Sequence, residues 1–510
     1  MEMEPKKILF IELDGASWNV LDPLLAQGRL PNLQRLMDRG VSGDLLSDPP
    51  LISPRLWVSI FSGKHSRKHG VGFFGTSSTA VRCKRIWDIF NEKGHPVGVF
   101  GSFVTWPPSP VNGFMIPSLF ALGTDTHPEE YRFLQEITLM ERKKGKAMNS
   151  GGANGRRSIL YYARKMKEHG VSLKTLWDAG RLLAETRLRG GSADDRYWRK
   201  ATIHMRISAE IFRHLYRSRR PVFATFHIHL CDALSHRYWK YYEPEKFPGI
   251  DPRQAARYGD VIPQAYEAAD RIIGDFVQEA GKDAVVMVMS DHGSRAMEVT
   301  RTSYRLQVEN FLQRFGLREH VIPAHVGLMT FCYFKDESMT RRMLAALGKV
   351  VFADTGKRVF DVREEEGLLG IRLSQVFWGE EIPGDRKMDL GEFGSCVFAD
   401  LFLPHRMEVS GTHQREGMMV FAGPGVKQGE RLSGATIFDV TPTALVLAGF
   451  PVAEDMDGAV LTDALDETFL REHPVRRIPT YEGPTLGKEE KGEEVTYDQV
   501  KGRLESLGYL

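Results

Sequence analysis

Cysteine is scarce in this sequence of 510 residues, which contains four, far apart and without a CxxC pair. Structural zinc clusters and disulfide frameworks need several closely spaced cysteines. The spacing therefore argues against a zinc-finger or disulfide-stabilised protein, and a reducing, cytoplasmic location is expected. The four residues are Cys83, Cys231, Cys332 and Cys396.

Long hydrophobic runs are also missing. A membrane-spanning helix needs about 18 or more apolar residues in a row, and no stretch approaches this length. The N-terminal "MEMEPKKILFIELDG" has acidic residues and a short apolar run, whereas a secretory signal needs a basic start and a longer apolar segment. We therefore expect neither a membrane span nor a signal peptide.

The sequence has almost no excess of charge, since 68 Lys+Arg face 66 Asp+Glu and the formal net charge is +2. This balance gives no reason to expect a nucleic-acid polymer or a membrane as partner. Residues 141–220 are the exception, with 21 Lys+Arg and 7 Asp+Glu. They are either solvated helix faces or a positive rim that attracts an anionic substrate or an acidic partner surface.

Short apolar runs alternate with helical patterns along the chain. Runs typical of buried strands occur in "KKILFIELDG", "HPVGVFGSF", "RPVFATFHIHLCD", "KDAVVMVMSDHG" and "GMMVFAGPGV". "LPNLQRLMDRG" and "FDVTPTALVLAGF" have the spacing of helices. The alternation predicts an α/β fold with a mainly parallel central sheet flanked by helices, whose ligand lies beyond the carboxyl ends of the strands.

The same patterns predict one large domain with two insertions. We expect a single catalytic domain over residues 1–480, a basic helical insertion over 120–220 and a cap subdomain inserted over 300–400. Residues 481–510 are predicted to form a polar linker and a short C-terminal helix.

Carboxylate and imidazole groups recur near the predicted strand ends. Each alone has an ordinary explanation, because an Asp after a strand commonly caps a turn, an Asp and a His four residues apart occur by chance, and a lone loop His is commonly at the surface. Together, six groups suffice for two divalent metal ions with three protein ligands each. Three strands end in Asp, and the last His lies in a Gly-flanked loop. The six are Asp14, Asp232, His236, Asp291, His292 and His413.

Three further histidines are interpreted as structural. His227 and His229 alternate along a predicted strand and lie inside it rather than at its end. His69 precedes Gly70 in "KHG", where it would end a helix capped by a left-handed glycine. None of the three is assigned to the chemistry.

The stretch "PPLISPRLWVSIFSGKHSRKHG" contains a candidate nucleophile. Ser53 immediately precedes Pro54, and this pair is a good helix start with Ser53 as the N-cap. The same position lies in the positive potential of a helix N-terminus. A divalent metal ion at the Ser53 oxygen would make the alkoxide accessible near neutral pH, so this residue is either only a cap or also a nucleophile.

The ordered set of motifs resembles the alkaline phosphatase superfamily, in particular its type I phosphodiesterase/nucleotide pyrophosphatase family. "ELDGA", "SPRLWVSIFSGKHSRKHG", "DALSH", "SDHG", "GTHQREG" and "DVTPTALVLAGFPVAEDMDG" occur in the family's order between residues 8 and 458. The resemblance implies an alkaline phosphatase-like fold. It also implies zinc as the expected metal, with manganese the alternative, and a double in-line displacement through a phosphoseryl intermediate.

The resemblance further implies how seven residues divide between two metal ions. One ion would be held by the Ser53 oxygen with Asp14, Asp291 and His292. The other would be held by Asp232, His236 and His413.

At two positions the residue differs from the one found in relatives that act on a narrower class of substrate. Phe74, in "HGVGFFG", takes the place of an Asn that helps to hold the phosphoryl group in nucleotide pyrophosphatases, which argues against nucleotide diesters. Ile52, two residues before Pro54, takes the place of the Cys or Ser that a sulfatase needs. Arg55 is interpreted as a solvent-facing helix residue, with substrate contact as the alternative.

The leading hypothesis is a cytoplasmic two-metal phosphohydrolase, specifically a phosphodiesterase acting on a small-molecule phosphate ester or diester. The alternative is a phosphotransferase or phosphomutase acting on a sugar or lipid-headgroup phosphate. A non-catalytic metal-binding scaffold is a third hypothesis, and the complete ligand set argues against it. The sequence leaves the natural substrate and the oligomeric state open.

Overall fold

The computed structural model describes residues 4–143, 159–189, 192–300, 302–334, 336–365, 367–405, 408–483 and 501. Its strands are, in chain order, Ile8–Leu13 (β1), Gly40–Leu46 (β2), Val97–Phe100 (β3), Gly113–Ile116 (β4), Phe223–Ile228 (β5), Val285–Met289 (β6), Gly293–Ala296 (β7), Tyr304–Leu306 (β8), Val321–Val326 (β9), Met329–Phe334 (β10), Val351–Phe352 (β11), Phe360–Glu365 (β12), Leu368–Leu373 (β13), Lys387–Asp389 (β14), Ser395–Val397 (β15), Phe402–Pro404 (β16), Gly411–Gln414 (β17), Glu416–Ala422 (β18), Glu430–Thr436 (β19), Val452–Ala453 (β20) and Arg477–Ile478 (β21). Its α-helices are Trp18–Ala26 (α1), Pro31–Asp38 (α2), Ser53–Ser62 (α3), Ser66–His69 (α4), Ile86–Glu92 (α5), Arg132–Lys143 (α6), Ile159–Glu168 (α7), Leu173–Arg189 (α8), Ala193–Arg219 (α9), Leu230–Tyr242 (α10), Pro252–Tyr258 (α11), Val261–Ala280 (α12), Val308–Arg314 (α13), Glu337–Leu347 (α14), Phe398–Leu401 (α15), Val440–Ala448 (α16) and Glu467–Glu472 (α17).

An eight-stranded sheet forms the centre of the fold, in the order β19-β2-β18-β6-β1-β5-β3-β4. Its strands pair in parallel except β18, which runs antiparallel to both β2 and β6. The sheet is therefore mainly parallel, as the alternation of strands and helices predicted. Because β6, β1 and β5 are parallel neighbours, the residues that follow them gather at one edge of the sheet.

Helices cover both faces of this sheet. In β1, Ile8 and Phe10 belong to one buried core, which also contains residues of α3, α5 and α16. Leu9, Ile11 and Leu13 belong to a second core, with residues of α9, α10 and α12. Successive side chains of a strand point to opposite faces, so a strand covered on both sides is apolar throughout. The fold is a three-layer α/β arrangement with a continuous apolar core on each side of the sheet.

Most of the segment between β7 and β17 builds a third core of its own, while Ile322, Ala324, Phe331 and Leu368 pack into the first core. A four-stranded sheet, β12-β13-β10-β9, and a three-stranded sheet, β11-β14-β15, contribute to it. Phe311, Phe352 and Leu369 are fully buried there. β8 pairs with β16, and β7 pairs with β17, both antiparallel. Two successive ribbons therefore connect this unit to the central sheet.

The basic segment forms the helices α7 to α9 in its described parts. Its cations are commonly paired with acids at the surface; examples are Arg164–Glu168, Arg199–Glu185, Arg206–Asp178 and Arg217–Glu279. Exposed ion pairs of this kind contribute little to stability, about 0–1 kcal/mol each. The pairing favours solvated helix faces over a free positive rim.

Within the described residues, no helix is both long and apolar enough to cross a membrane. Nearly all of the segment 481–510, including the predicted C-terminal helix, lies outside the described residues.

Candidate metal centre

Two carboxylates and a histidine meet where β1 and β6 end. Asp14 directly follows β1, and Asp291 and His292 follow β6 after Ser290. Their ligand atoms lie within 4.8 Å of one another. His292 Nε2 is 3.5 Å from Asp291 Oδ2 and 3.7 Å from Asp14 Oδ1. The parallel pairing of β1 with β6 thus brings together three of the residues predicted for one metal ion.

A second group begins in α10. β5 ends at Ile228, and Asp232 lies in the first turn of α10, so the prediction that it ends a strand is wrong. His236 lies one helical turn further on, with Nε2 3.2 Å from Asp232 Oδ1, as the four-residue spacing predicts. His413 Nε2 is 3.5 Å from the same carboxylate oxygen.

His413 reaches this group from a strand rather than from the predicted loop. It lies in β17, opposite Ser294 of β7. Because β7 begins directly after His292, the ribbon holds the two histidines together, and their rings stack with centroids 3.7 Å apart. His292 also clusters with Asp232 and His413 as a possible ligand group. The two groups therefore adjoin at His292 and form one buried centre.

Backbone carbonyl groups orient the three histidines. In each ring Nδ1 lies 2.8–3.1 Å from a carbonyl oxygen; the pairs are His236–Gly411, His292–Gly293 and His413–Leu51. A carbonyl oxygen only accepts, so each Nδ1 carries a hydrogen and donates it, and each ring turns its Nε2 inward. Histidines that bind metal ions are commonly held in this way.

The interior of the centre brings possible ligand atoms close together. The Nε2 atoms of His236 and His413 lie 3.0 Å apart. Asp291 Oδ2 is buried and accepts no hydrogen bond within the described part of the chain. A divalent cation among these atoms would satisfy them, because carboxylate oxygen and imidazole nitrogen are ligands of zinc and of manganese. The residues therefore fit the metal ions that the sequence predicted.

The charges of the two groups differ. Burial and the neighbouring Asp291 raise the pKa of Asp14 well above its ordinary value. Burial would also raise the pKa of Asp232, but His236 outweighs it and holds that pKa well below the usual range. Burial lowers the pKa of His413 to about 4, so its ring is neutral at pH 7. Burial therefore disfavours the charged form of Asp14, and a cation bound beside it would favour that form.

Ser53 lies against the first group. It is the first residue of α3, and the N-cap is Ile52, so the prediction that Ser53 caps the helix is wrong. Its Oγ instead lies 3.3 Å from Asp14 Oδ1 and 3.3 Å from His292 Nε2. The hydroxyl thus sits at the positive end of α3 and within reach of a cation bound by Asp14 and His292.

Arg55 is fully buried, so its interpretation as a solvent-facing residue is wrong. Its Nη2 forms an ion pair with the carboxylate of Asp48, and its Nη1 donates to the carbonyl oxygen of the same residue at 2.6 Å. A buried guanidinium needs such partners. Arg55 ties the segment before Ser53 to α3.

His227 is the residue beside the centre that the sequence analysis set aside. Its Nε2 lies 3.2 Å from Asp14 Oδ2, and its Nδ1 lies 2.8 Å from Glu12 Oε2. Although burial opposes the shift, contacts with Asp14 and Glu12 raise the pKa of His227 to about 10. The available signal was Glu12, a carboxylate inside an apolar strand that needs a partner and that lies opposite His227 in the sheet. His229, predicted to share that strand, lies beyond its end as the N-cap of α10.

Two glycines allow the close approach of the elements that carry ligands. Gly15 has φ +67°, and a Cβ there would lie 2.8 Å from the Cβ of Asp232. A Cβ at Gly411 would lie 2.3 Å from the carbonyl oxygen of Ser235. Any other residue would push α10 away from the turn after β1 or from β17.

Comparison with known proteins gives one family match and several similar folds. A sequence model described as "Type I phosphodiesterase / nucleotide pyrophosphatase" matches residues 8–329. No curated protein matches the chain. The structure of human ectonucleotide pyrophosphatase/phosphodiesterase 5 is 11% identical, with a TM-score of 0.46 over 91% of this chain and 100% of that one. The murine counterpart is 12% identical, with a TM-score of 0.45 over 90% of this chain and 100% of that one. An inactive form of the murine protein in complex with AMP gives the same values.

Proposed function

Because this chain belongs to the type I phosphodiesterase/nucleotide pyrophosphatase family, we propose that it is a two-metal phosphodiesterase with Ser53 as its nucleophile. The protein is a hydrolase of phosphoric esters. The proposal adds the number of metal ions, the nucleophile and the covalent intermediate.

Each of the two groups of residues is assigned to one metal ion. Asp14, Asp291, His292 and the Ser53 oxygen would hold one ion; Asp232, His236 and His413 would hold the other. Zinc is the proposed metal, and manganese is the alternative that the same ligands accept. When bound, the two ions lower the pKa of the serine hydroxyl and offset the charge on the phosphoryl and leaving oxygens.

The position of the Ser53 hydroxyl is the observation that carries the proposal. Its Oγ is 3.3 Å from both Asp14 Oδ1 and His292 Nε2, at the first residue of α3. A serine used only to start a helix has no need of a carboxylate and an imidazole at its oxygen. The helix N-terminus also favours the negative charge that develops on the nucleophile and the phosphoryl group.

The chain's residues then support two in-line displacements. The Ser53 oxygen attacks phosphorus, the new P–O bond forms, and the bond to the first ester oxygen breaks, so that this group leaves as an alcohol with the proton that the serine hydroxyl gives up. In the second displacement water attacks the phosphoseryl group, the bond to the serine oxygen breaks, one proton of the water restores the serine hydroxyl, and the phosphate monoester is released. Phosphoryl transfer of this kind depends mainly on positioning and on charge.

The direct test is hydrolysis of p-nitrophenyl substrates by metal-loaded protein. We expect metal-dependent release of p-nitrophenol that is faster from bis-p-nitrophenyl phosphate than from p-nitrophenyl phosphate, and loss of both rates on chelation. A faster monoester reaction would overturn the phosphodiesterase assignment, and rates that survive chelation would overturn the two-metal mechanism.

An alcohol acceptor in the same reaction separates hydrolysis from transfer. Phosphorus NMR should show only products derived from water. A phosphorylated acceptor would instead assign the alternative, a phosphotransferase. Bound metal well below one ion per chain, with no turnover, would assign the scaffold.

A further inference from the structure

Exposed apolar side chains are concentrated on two neighbouring helices, α7 and α8. Of the eight large hydrophobic residues that the described part of the chain exposes, five lie on these helices. Leu160 is 79% exposed and Trp177 is 73% exposed. A single exposed apolar residue is ordinary, but a group of them on adjoining helices marks an interaction surface. The five are Ile159, Leu160, Leu173, Trp177 and Leu183.

Helix α8 carries apolar residues on two of its sides. Leu176 packs against the second core of the fold. On the outward side, Leu173, Trp177, Gly180 and Ala184 follow one another at intervals of three or four residues, and all four are exposed. A Cβ at Gly180 would meet no atom within 4 Å, so this side is open. A helix side that serves only to meet water carries polar or charged residues, and this one does not.

Basic side chains flank the apolar residues of both helices. In α8, Lys174 and Arg181 lie seven residues apart and share one flank, with side chains that are 79% and 59% exposed. In α7, Arg164 and Lys167 follow Leu160 by one and two turns and are exposed. Long basic side chains can lay their carbon chains on an apolar surface while the charge remains in a polar layer.

Acidic residues reduce the positive charge of this surface but do not remove it. Residues 159–189, which contain α7 and α8, have seven Lys+Arg and three Asp+Glu. Each of the three acids lies within ion-pair distance of two basic residues. The contacts are those of Glu168 with Arg164 and Lys165, of Asp178 with Lys174 and Arg206, and of Glu185 with Arg181 and Arg199.

The combination of apolar and basic side chains decides between partners. A second copy of the chain would bring the same positive charge against itself in a two-fold contact. A nucleic acid offers phosphates, but its bases stack on aromatic rings and have little use for exposed Leu and Ile. An anionic lipid bilayer suits both features, because its acyl region takes up apolar side chains while its head groups attract Lys and Arg.

We propose that the outward sides of α7 and α8 bind the surface of a bilayer that contains anionic phospholipids. Leu160, Leu173 and Trp177 lie below the head groups, and the flanking Lys and Arg side chains lie at the level of the phosphates. The two helices lie on the bilayer and do not cross it. This interaction does not rest on the proposed function, since α7 and α8 carry none of the proposed metal ligands.

Co-sedimentation of the full chain with lipid vesicles tests the proposal without reference to turnover. Vesicles of phosphatidylcholine alone are compared with vesicles of equal parts phosphatidylcholine and phosphatidylglycerol. We expect binding to the mixed vesicles to be at least about tenfold stronger than to phosphatidylcholine, and to weaken as the salt concentration rises. Equal binding to both kinds of vesicle, or binding to neither, would overturn the proposal.

Trp177→Gln removes the largest apolar side chain of this surface. We expect the partition coefficient for the mixed vesicles to fall by about tenfold or more, because the variant loses the burial of an aromatic side chain. Circular dichroism should be unchanged, since the side chain is exposed. Trp378→Gln, at an exposed position of the cap subdomain, is the matched control and should bind like the unaltered protein. A folded Trp177→Gln protein that binds in full would contradict the assignment.

A second variant tests the charge and leaves the apolar residues in place. Lys167→Gln combined with Lys174→Gln should lower binding to the mixed vesicles by about tenfold and leave binding to phosphatidylcholine unchanged. Lys93→Gln combined with Lys282→Gln, at exposed positions outside α7 and α8, is the control and should bind like the unaltered protein. Equal binding by both double variants would show that the basic residues of this surface are not involved, against the proposal.

Light scattering tests whether a second copy of the chain occupies the surface instead. We expect the unaltered protein and Trp177→Gln to have the same mass in solution. A larger assembly of the unaltered protein that dissociates in Trp177→Gln would assign this surface to contact between chains and would overturn the proposal.

Discussion

The Nε2 atoms of His236 and His413 lie 3.0 Å apart, while Nδ1 of each ring faces a backbone carbonyl oxygen. With hydrogen on both Nδ1 atoms, the two Nε2 atoms face each other in a buried site; although burial opposes it, Asp232 raises the pKa of His236, so that a proton on its Nε2 can be donated to His413. Asp232 Oδ1 is 3.2 Å from one ring and 3.5 Å from the other. A metal cation held by both rings and by Asp232 would take the place of that proton.

Metal analysis of ligand variants tests that conclusion. We expect two divalent ions per chain in the unaltered protein and one ion in Asp291→Asn and in His413→Gln, because each change removes a ligand from a different group. The measurement is elemental analysis after removal of weakly bound metal. Asp283→Asn and His320→Gln, at exposed positions, are the matched controls and should bind two ions. One ion in the unaltered protein would contradict the division into two sites.

Ser53→Ala should remove the covalent step. We expect kcat/KM for bis-p-nitrophenyl phosphate to fall by about 10³-fold or more, because a neighbouring residue does not replace a positioned nucleophile. Initial rates of p-nitrophenol release measure the loss. Ser59→Ala is the control on the same helix, since that hydroxyl contacts His69 and not the centre. Full activity of Ser53→Ala would show that the nucleophile is another group.

His227→Gln tests a positioning residue that acts through Asp14. The side chain joins Asp14 to Glu12, so its loss should free the carboxylate to turn and lower metal affinity by about 10- to 100-fold. Competition with a chelator measures the dissociation constant directly, without reference to turnover. Glu12→Gln keeps an acceptor for His227 and should lose less affinity. Unchanged affinity in both variants would restrict His227 to a structural role.

Part of the stability that the fold loses at acid pH should come from His69. His69 is the last residue of α4, directly before Gly70 in the left-handed conformation, as the sequence predicted. Its ring is buried, with Nε2 3.0 Å from Ser59 Oγ. Burial, with the nearby charge of Arg55, lowers the pKa of His69 to about 3. The unfolded chain therefore binds a proton first, and stability from this group falls as the pH drops below about 6.5, by about 1.4 kcal/mol per pH unit.

Urea unfolding at several pH values between 7.5 and 5 measures this slope. His69→Gln should remove it, so the difference in unfolding free energy between the two proteins should change with pH by that amount. His320→Gln, at the surface, is the control and should leave the slope unchanged. Parallel pH curves for His69→Gln and the unaltered protein would contradict the assignment.

Local sequence patterns predicted which residues supply the ligand atoms better than they predicted the secondary structure around those residues. The sequence predicts Asp14 and Asp291 as ligands because each closely follows a buried, mainly apolar strand. His413 was assigned to a loop because β17 is four residues long and exists through its pairing with β7, far away in the sequence. Ser53 was assigned as a cap because Ser before Pro is a common helix start, whereas its first-turn position depends on Ile52 and on contacts with Asp14.

Burial and cavities depend on packing that a single sequence does not display. Arg55 was placed in solvent because a charged residue on a helix is normally exposed, and its partner Asp48 becomes relevant only when the preceding segment folds back. A cavity beside the centre combines Phe103, Phe120, Gln135 and Met205, which come from separate parts of the chain. No local pattern marks these residues as neighbours.

The ribbon of β7 and β17 has an evolutionary consequence. Ala296 lies opposite Gly411, so the chain leaves the central sheet and returns to it at adjacent points. Closing the chain between them costs about 0.6 kcal/mol for each doubling of its length. Insertions in the intervening unit can therefore vary while His292 and His413 keep their spacing, provided that Ile322, Ala324 and Phe331 continue to fill the core beside α3.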